Sequence, residues 1–316
     1  MKFYLGLAAS QAYRLDEAIE KHGLERIPFF ISVRELISQR RYQKNQKKLP
    51  RGFMLDSGGF NEIRINGSYS FTAKQYADMA AYQEPERCFA MDWMCNPVVL
   101  EMTGKTVKEH QELTLLSYLE LREMIPNLVC PVLQGWTPDQ YVDHLNMYEE
   151  AGISLDQFFG LGSVVMKNAR GVYWTVKAVR ERAPKIRLHG FGVKAGGLST
   201  SYTVHNLETS DSIAWTKSAT RIRLGCDGCE LHSCSSCLRF AILWRNYINL
   251  YISLAMGEYD VYGGPERDQL NLFSSDKLEP IDDSAEALVE TKSTLDDELV
   301  LIKVGGDEAE EEMIRI

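Results

Sequence analysis

Residues 52–60 read GFMLDSGGF: a short apolar run, Phe53-Met54-Leu55, closes on Asp56 and runs into Ser57, Gly58, Gly59 and Phe60. An apolar run of this length, bounded by glycine, reads as a buried strand. The aspartate at its end, followed by two glycines, gives a turn in which the backbone can approach a flat ligand closely. Phe60 then supplies a ring for stacking. Taken alone, the motif reads equally well as a strand-to-loop turn with a capping aspartate.

The same form recurs on both sides of it. Apolar runs that read as strands are FYLGLA (3–8), CFAMDW (88–93), LVCPVLQG (128–135), FFGLGSV (158–164), IRLHGFGV (186–193) and SDSIAW (210–215). Helical periodicity falls between them, at 72–83, 104–124, 138–151, 169–182 and 237–256. Such alternation argues for parallel strands joined by helical crossovers, an α/β protein. Seven or eight units over the first 260 residues match a (β/α)8 TIM barrel. An open doubly wound sheet is the alternative, weakened by the lack of a glycine-rich phosphate loop after the first strand. In a barrel the strand ends converge on one face, so Asp56, Asp92, Gln134, Gly160, Gly192 and Asp211 are expected to share one pocket.

Composition sets outer limits. The 316 residues are 45% hydrophobic and 25% charged, a globular mix that excludes wholesale disorder. No run of about 18 apolar residues reads as a membrane-spanning helix, and no membrane partner is expected. The opening MKFYLGLAAS carries one lysine and a short apolar stretch; it reads as a first strand in preference to a weak secretory signal. A cytoplasmic location is expected. The net charge of -9 is unevenly spread, because residues 276–316 hold 14 acidic and 4 basic side chains and the remainder is nearly neutral. The expected organisation is therefore a barrel over 1–260 and a partly ordered acidic extension over 261–316. That extension reads as solvated chain, with docking or nucleic-acid mimicry as the alternative.

Several residues carry chemistry. Asp211 is a second candidate carboxylate; two carboxylates facing one pocket can divide nucleophile and acid–base duties at an anomeric carbon. Asp92 could accept from a purine-type N–H edge, and Gln134, followed by Gly135, can donate and accept together. Gly160–Leu161 and Gly190–Gly192 add backbone groups in glycine-opened loops. Cys226, Cys229, Cys234 and Cys237 form a C-x2-C-x4-C-x2-C run, which reads as a closed tetrahedral structural zinc (Zn2+) site near the C-terminal end of the barrel. An iron–sulfur cluster or redox thiols are the alternatives, and His232 lies inside the loop as a possible replacement ligand. Cys88, Cys95 and Cys130 are scattered and read as buried packing. Residues 34–51 hold Arg34, Arg40, Arg41, Lys44, Lys47, Lys48 and Arg51 against Glu35, a segment suited to phosphate-backbone contact or to a solvated helix.

Together these motifs resemble the tRNA-guanine transglycosylase superfamily over most of residues 1–255. LDSGGF is similar to its Asp-Ser-Gly-Gly-(Phe/Tyr) signature, and AMDWMC to its Asp-Glu-Cys strand with Trp93 in place of the glutamate. VLQGW, FGLGS and HGFGV resemble its Gln-Gly, Gly-Gly-Leu-Ala and Leu-Met-Gly-Val strands, and SDSIAW its nucleophile strand. The resemblance implies Asp211 as the nucleophile and Asp56 as the general acid/base. It also implies that Asp92, Gln134 and the Gly160–Leu161 backbone read the purine edge, and that Phe60 and Phe191 sandwich its faces. The target nucleotide would have to leave its stack.

The tRNA enzymes usually take zinc with C-x-C-x2-C and a histidine on the next helix, a pattern this chain departs from; LRFAILWRNYINLY offers no histidine. The clustered cysteines and short chain look more like the DNA-guanine transglycosylases of 7-deazaguanine DNA-modification systems. The resemblance thus implies DNA as partner, with tRNA as the alternative, and a free 7-deazaguanine base such as preQ0. It also implies backbone contact by the 34–51 segment and a possible homodimer. A barrel that binds nucleic acid without catalysis is the reading from a different class.

Overall fold

Among the described residues of this computed structural model (1–23, 25–37, 47–222 and 234–257), the short apolar runs become parallel strands. They are β1 (Lys2–Gly6), β2 (Phe29–Ser32), β3 (Phe53–Asp56), β4 (Arg87–Phe89), β5 (Val129–Cys130), β6 (Val132–Leu133), β7 (Phe158–Leu161), β8 (Arg187–Gly190) and β9 (Thr209–Ser212). Their spatial order is β5-β4-β3-β2-β1-β9-β8-β7-β6, and β1 pairs with both β2 and β9. The result is a nearly closed, TIM-like barrel of nine parallel strands.

The gap in the ladder has a local cause. β5 and β6 are two halves of one run separated by Pro131, which has no N–H to give. Its carbonyl still accepts from Gly160 N–H at 2.8 Å, so the run touches β4 through its first half and β7 through its second. Counted as one stave, β5 and β6 bring the ring to eight. On the opposite side the β1–β9 seam is locked by Trp215, fully buried, whose indole N–H donates to the Gly6 carbonyl at 2.8 Å. A side chain at Gly6 would meet the Ser212–Ile213 backbone at 2.9 Å, so the seam needs glycine there.

The helices follow the periodicity closely: Ala73–Gln83, Val107–Met124, Pro138–Glu150, Ala169–Arg182 and Leu238–Met256. Thr72, Thr106 and Asn168 cap three of them through side-chain oxygens that accept from the first-turn N–H groups. The helix at Val107–Met124 turns His110, Gln111, Thr114, Tyr118 and Leu121 inward, a spacing that keeps one face on the barrel.

One strand escaped the sequence reading. β2, FFIS, offers only three consecutive apolar residues, Phe29 to Ile31, between Pro28 and Ser32, too short a run to stand out as a strand. The barrel interior is unusually aromatic: Phe30, Phe89, Phe158, His189 and Phe191 lie ring against ring, with Phe30 stacked on His189 at 4.9 Å.

The expected zinc cluster is half described. Cys226, Cys229 and His232 lie outside the described residues, as do Arg40, Arg41, Lys44 and the acidic extension from 261. Cys234 and Cys237 are buried on the turn that opens the helix at Leu238–Met256, where Cys237 N–H donates to the Cys234 carbonyl at 3.1 Å. No group of three or more potential metal ligands occurs among the described residues. Nor is any described helix long and apolar enough to cross a membrane.

Candidate active site

Asp56 is the last residue of β3 and Asp211 lies in β9, while Gln134 follows β6 directly and Asp92 comes three residues after the end of β4. All four therefore sit at or near the C-terminal ends of parallel strands, where a barrel gathers its functional groups. Asp92 and Asp211 are buried and Asp56 is half-buried. Among the described residues no lysine or arginine pairs with any of the three carboxylates. Burial, then the charge of Asp92 and more weakly that of Asp211, push the Asp56 carboxyl up to about 8. Burial raises Asp92 as well, to about 6. A carboxyl held in its protonated form near neutrality, beside carboxylates, is the usual arrangement for general acid–base work.

Asp56 is fixed by the glycine turn. Gly58 N–H donates to its Oδ2 at 2.8 Å, and Gly58 itself adopts φ +75°, a backbone that side chains rarely take. A Cβ there would also lie 2.3 Å from Ser32 Oγ. Gly59 is equally confined: a Cβ would stand 2.4 Å from the Tyr69 hydroxyl and 2.6 Å from the Asp92 carbonyl. The signature glycines thus let two strand ends and Tyr69 close together. Phe60 stays outside, 42% exposed at the rim, with the Arg64 guanidinium 5.9 Å above its ring.

Asp92 is held from two sides. Ser57 Oγ donates to its Oδ1 at 2.9 Å and Gln134 Nε2 donates to its Oδ2. The Tyr69 hydroxyl donates to the Asp92 carbonyl at 2.9 Å and lies 2.8 Å from Ser57 Oγ. Gln134, fully buried, has its backbone pinned: its N–H donates to His144 Nδ1 at 2.8 Å and its carbonyl accepts from Gln111 Nε2 at 2.7 Å. Burial pushes His144 down to about 3, so that nitrogen stays an acceptor.

Asp211 has a different shell. Its Oδ1 accepts from Gly192 N–H at 2.9 Å and faces His189 Nε2 at 3.3 Å. His189 Nδ1 sits 2.7 Å from Thr209 Oγ1. A carboxylate only accepts, so the imidazole proton belongs on Nε2 and the threonine hydroxyl donates to Nδ1. Among the described residues nothing donates to Asp211 Oδ2.

The remaining expected residues fall into two groups. Phe191 lies over Gly160, where a Cβ would meet its ring at 2.6 Å, and packs edge-on to Phe89 at 4.8 Å. Gly192, expected against a base, spends its N–H on Asp211 instead. Gly160 N–H donates to Pro131 O and the Leu161 carbonyl accepts from Phe191 N–H at 3.2 Å, so both groups serve the barrel ladder. Gly135 packs against Tyr141, with room for no more than hydrogen at 3.0 Å.

The described lysines of the basic segment lie elsewhere. Lys47 and Lys48 precede the N-terminal end of β3, the end opposite Asp56, and Lys48 Nζ is held 2.8 Å from Glu84 Oε2. The chain enters β3 from that far side, which sets these two lysines apart from Asp56.

Sequence reading missed Tyr69, Ser163, His189 and Thr209. His189 was visible in HGFGV, but its role depends on a partner twenty-two residues later, in the neighbouring strand. Tyr69 lies in a loop without any motif.

A family model described as DpdA, DeoxyPurine in DNA protein A, matches residues 21–262. No curated protein matches the chain.

Proposed function

The chain belongs to the DpdA family, and from that premise we propose that it is a DNA-guanine transglycosylase, exchanging guanine in DNA for a free 7-deazaguanine base. The observation that carries this reading is the convergence of Asp56, Asp92 and Asp211 at the strand ends with no lysine or arginine paired to them among the described residues; burial beside the other carboxyls pushes Asp56 up to about 8.

In this reading Asp211 Oδ2 attacks C1′ of the target nucleotide, the C1′–N9 bond breaks with its electron pair going to guanine, and Asp56 delivers the proton to the departing base. The incoming base returns a proton to Asp56, and its nitrogen displaces Asp211 from C1′. Asp92 accepts from the N–H edge of the base and Gln134 donates to its 6-oxo group. Phe60 and Phe191 flank the ring faces. His189 and Gly192 orient Asp211, so they act as positioning groups.

Cys226, Cys229, Cys234 and Cys237 are proposed to hold a structural zinc. Two buried thiols on one turn at a helix start suit half of such a site; the metal would tie that turn to the preceding chain and take no part in exchange. About one zinc per chain should be found by elemental analysis, lost in the Cys234→Ser/Cys237→Ser variant; a stoichiometry near zero would remove the metal. Contact with the DNA backbone is assigned to Arg40, Arg41 and Lys44.

The test is base exchange with labelled guanine and with a labelled 7-deazaguanine such as preQ0, run in parallel on DNA and tRNA. Uptake into DNA alone supports the proposal. Uptake into tRNA alone would move the substrate, and no uptake into either would favour a barrel that binds without reacting.

A further inference from the structure

Gln134 can select a 6-oxo purine only if its amide presents the NH2 group to the base and keeps the carbonyl away. An amide can turn by 180° about its last bond with little change in shape, so something must fix the choice. Gln134 is fully buried, and a turn about that last bond is the motion that least disturbs its packing. In the unliganded site two groups oppose it: the Asp92 carboxylate, which only accepts and so demands the NH2, and Ser163, whose Oγ donates to Gln134 Oε1 at 2.6 Å. A base that takes the Asp92 oxygens for its own N–H groups removes the first restraint at the moment when the orientation matters. Ser163 is then the restraint that remains.

Ser163 is built for that duty. It is buried, and its Oγ already accepts Cys95 N–H at 2.9 Å, which leaves the hydroxyl hydrogen to point at Gln134. It holds φ +57°, a left-handed backbone that a serine takes only when its surroundings enforce it. The neighbouring Gly162 leaves the amide no slack, since a Cβ there would lie 2.1 Å from Gln134 Nε2.

We propose that Ser163 is a specificity-determining positioning residue, which fixes the Gln134 amide so that the pocket donates to position 6 of the base and rejects 6-amino purines. This rests on the pocket being the base site of the proposed exchange.

The experiment measures kcat/KM for labelled guanine and labelled 2,6-diaminopurine with wild type, Ser163→Ala and Ser163→Gly. The glycine variant relaxes the backbone while still removing the hydroxyl, so it remains informative if the alanine variant folds poorly. Both variants should lower the preference for guanine over 2,6-diaminopurine by about tenfold, the scale of one lost hydrogen bond. A ratio within about twofold of wild type in both, including an equal loss for both bases, would overturn the proposal and leave Ser163 as packing. Wild type that exchanges neither base would instead fail the pocket reading itself, and this inference with it.

Discussion

The two ends of the barrel handle charge in opposite ways. At the N-terminal end two carboxylates beside the strand starts are paired: Glu86 takes Tyr4 OH at 2.7 Å and Lys2 at 3.5 Å, and Glu208 takes Arg187 through two 2.6 Å contacts. The Arg187 guanidinium holds Glu208 below the usual carboxylate range. At the C-terminal end no lysine or arginine among the described residues pairs with any of the three aspartates, and Asp56 is driven up. Fold stability would be served by the first solution at both ends. The second is retained where a proton and a bare carboxylate oxygen are wanted, and its cost is borne by the rest of the barrel.

The comparison is broken most decisively at Asp211. Asp211→Ala should abolish the covalent protein–DNA species and lower exchange by at least about 10⁴-fold; persistence of that species on denaturing gels would transfer the nucleophile role elsewhere.

Asp56→Asn should cost about 10²–10⁴-fold in exchange, the range of a lost general acid, and yet raise the melting temperature at pH 8. The sign follows from linkage: a carboxyl raised in the fold binds its proton more tightly there than in the unfolded chain. Stability therefore falls as pH rises from the unfolded value toward about 8, and the asparagine escapes that loss. A lowered melting temperature in calorimetry would contradict the electrostatic account. In wild type the rate should rise as pH climbs through about 6, where Asp92 becomes an acceptor, and decline through about 8 as Asp56 loses its proton. A profile flat across pH 5–9 would argue against both assignments.

A smaller effect is expected one step behind the nucleophile. His189→Leu should reduce kcat by about 10–100-fold with KM for the base unchanged, and His189→Gln should recover part of it through a side-chain N–H. Loss in KM rather than kcat would make His189 a wall of the pocket. At the paired end, Glu208→Gln should leave exchange untouched and cost under about 1 kcal/mol in denaturant unfolding, because the pair is largely exposed.

Much of this was legible in the chain. Short apolar runs giving way to a period near 3.6 located most of the strands and five helices to within a few residues, because the barrel buries both faces of its strands and one face of each helix. Aspartate or glutamine at the strand ends marked Asp56, Asp92, Gln134 and Asp211 for the same reason. β2 was hidden because its three apolar residues, set between Pro28 and Ser32, make too short a run. The entry of Lys47 and Lys48 at the far end of β3 was hidden because a charge run says nothing about direction.

The sequence by itself thus determined the alternation, the acidic composition of the C-terminal stretch and which residues would stand at strand ends. Only the tertiary structure decided that Ser57 and Gln134 clasp Asp92, that Gly192 and His189 turn Asp211, and that Ser163 locks an amide from another strand. Each of these contacts joins residues roughly twenty to forty positions apart across neighbouring staves of the barrel. Their geometry is set by strand register and ring packing, and neither is written in any local stretch of chain.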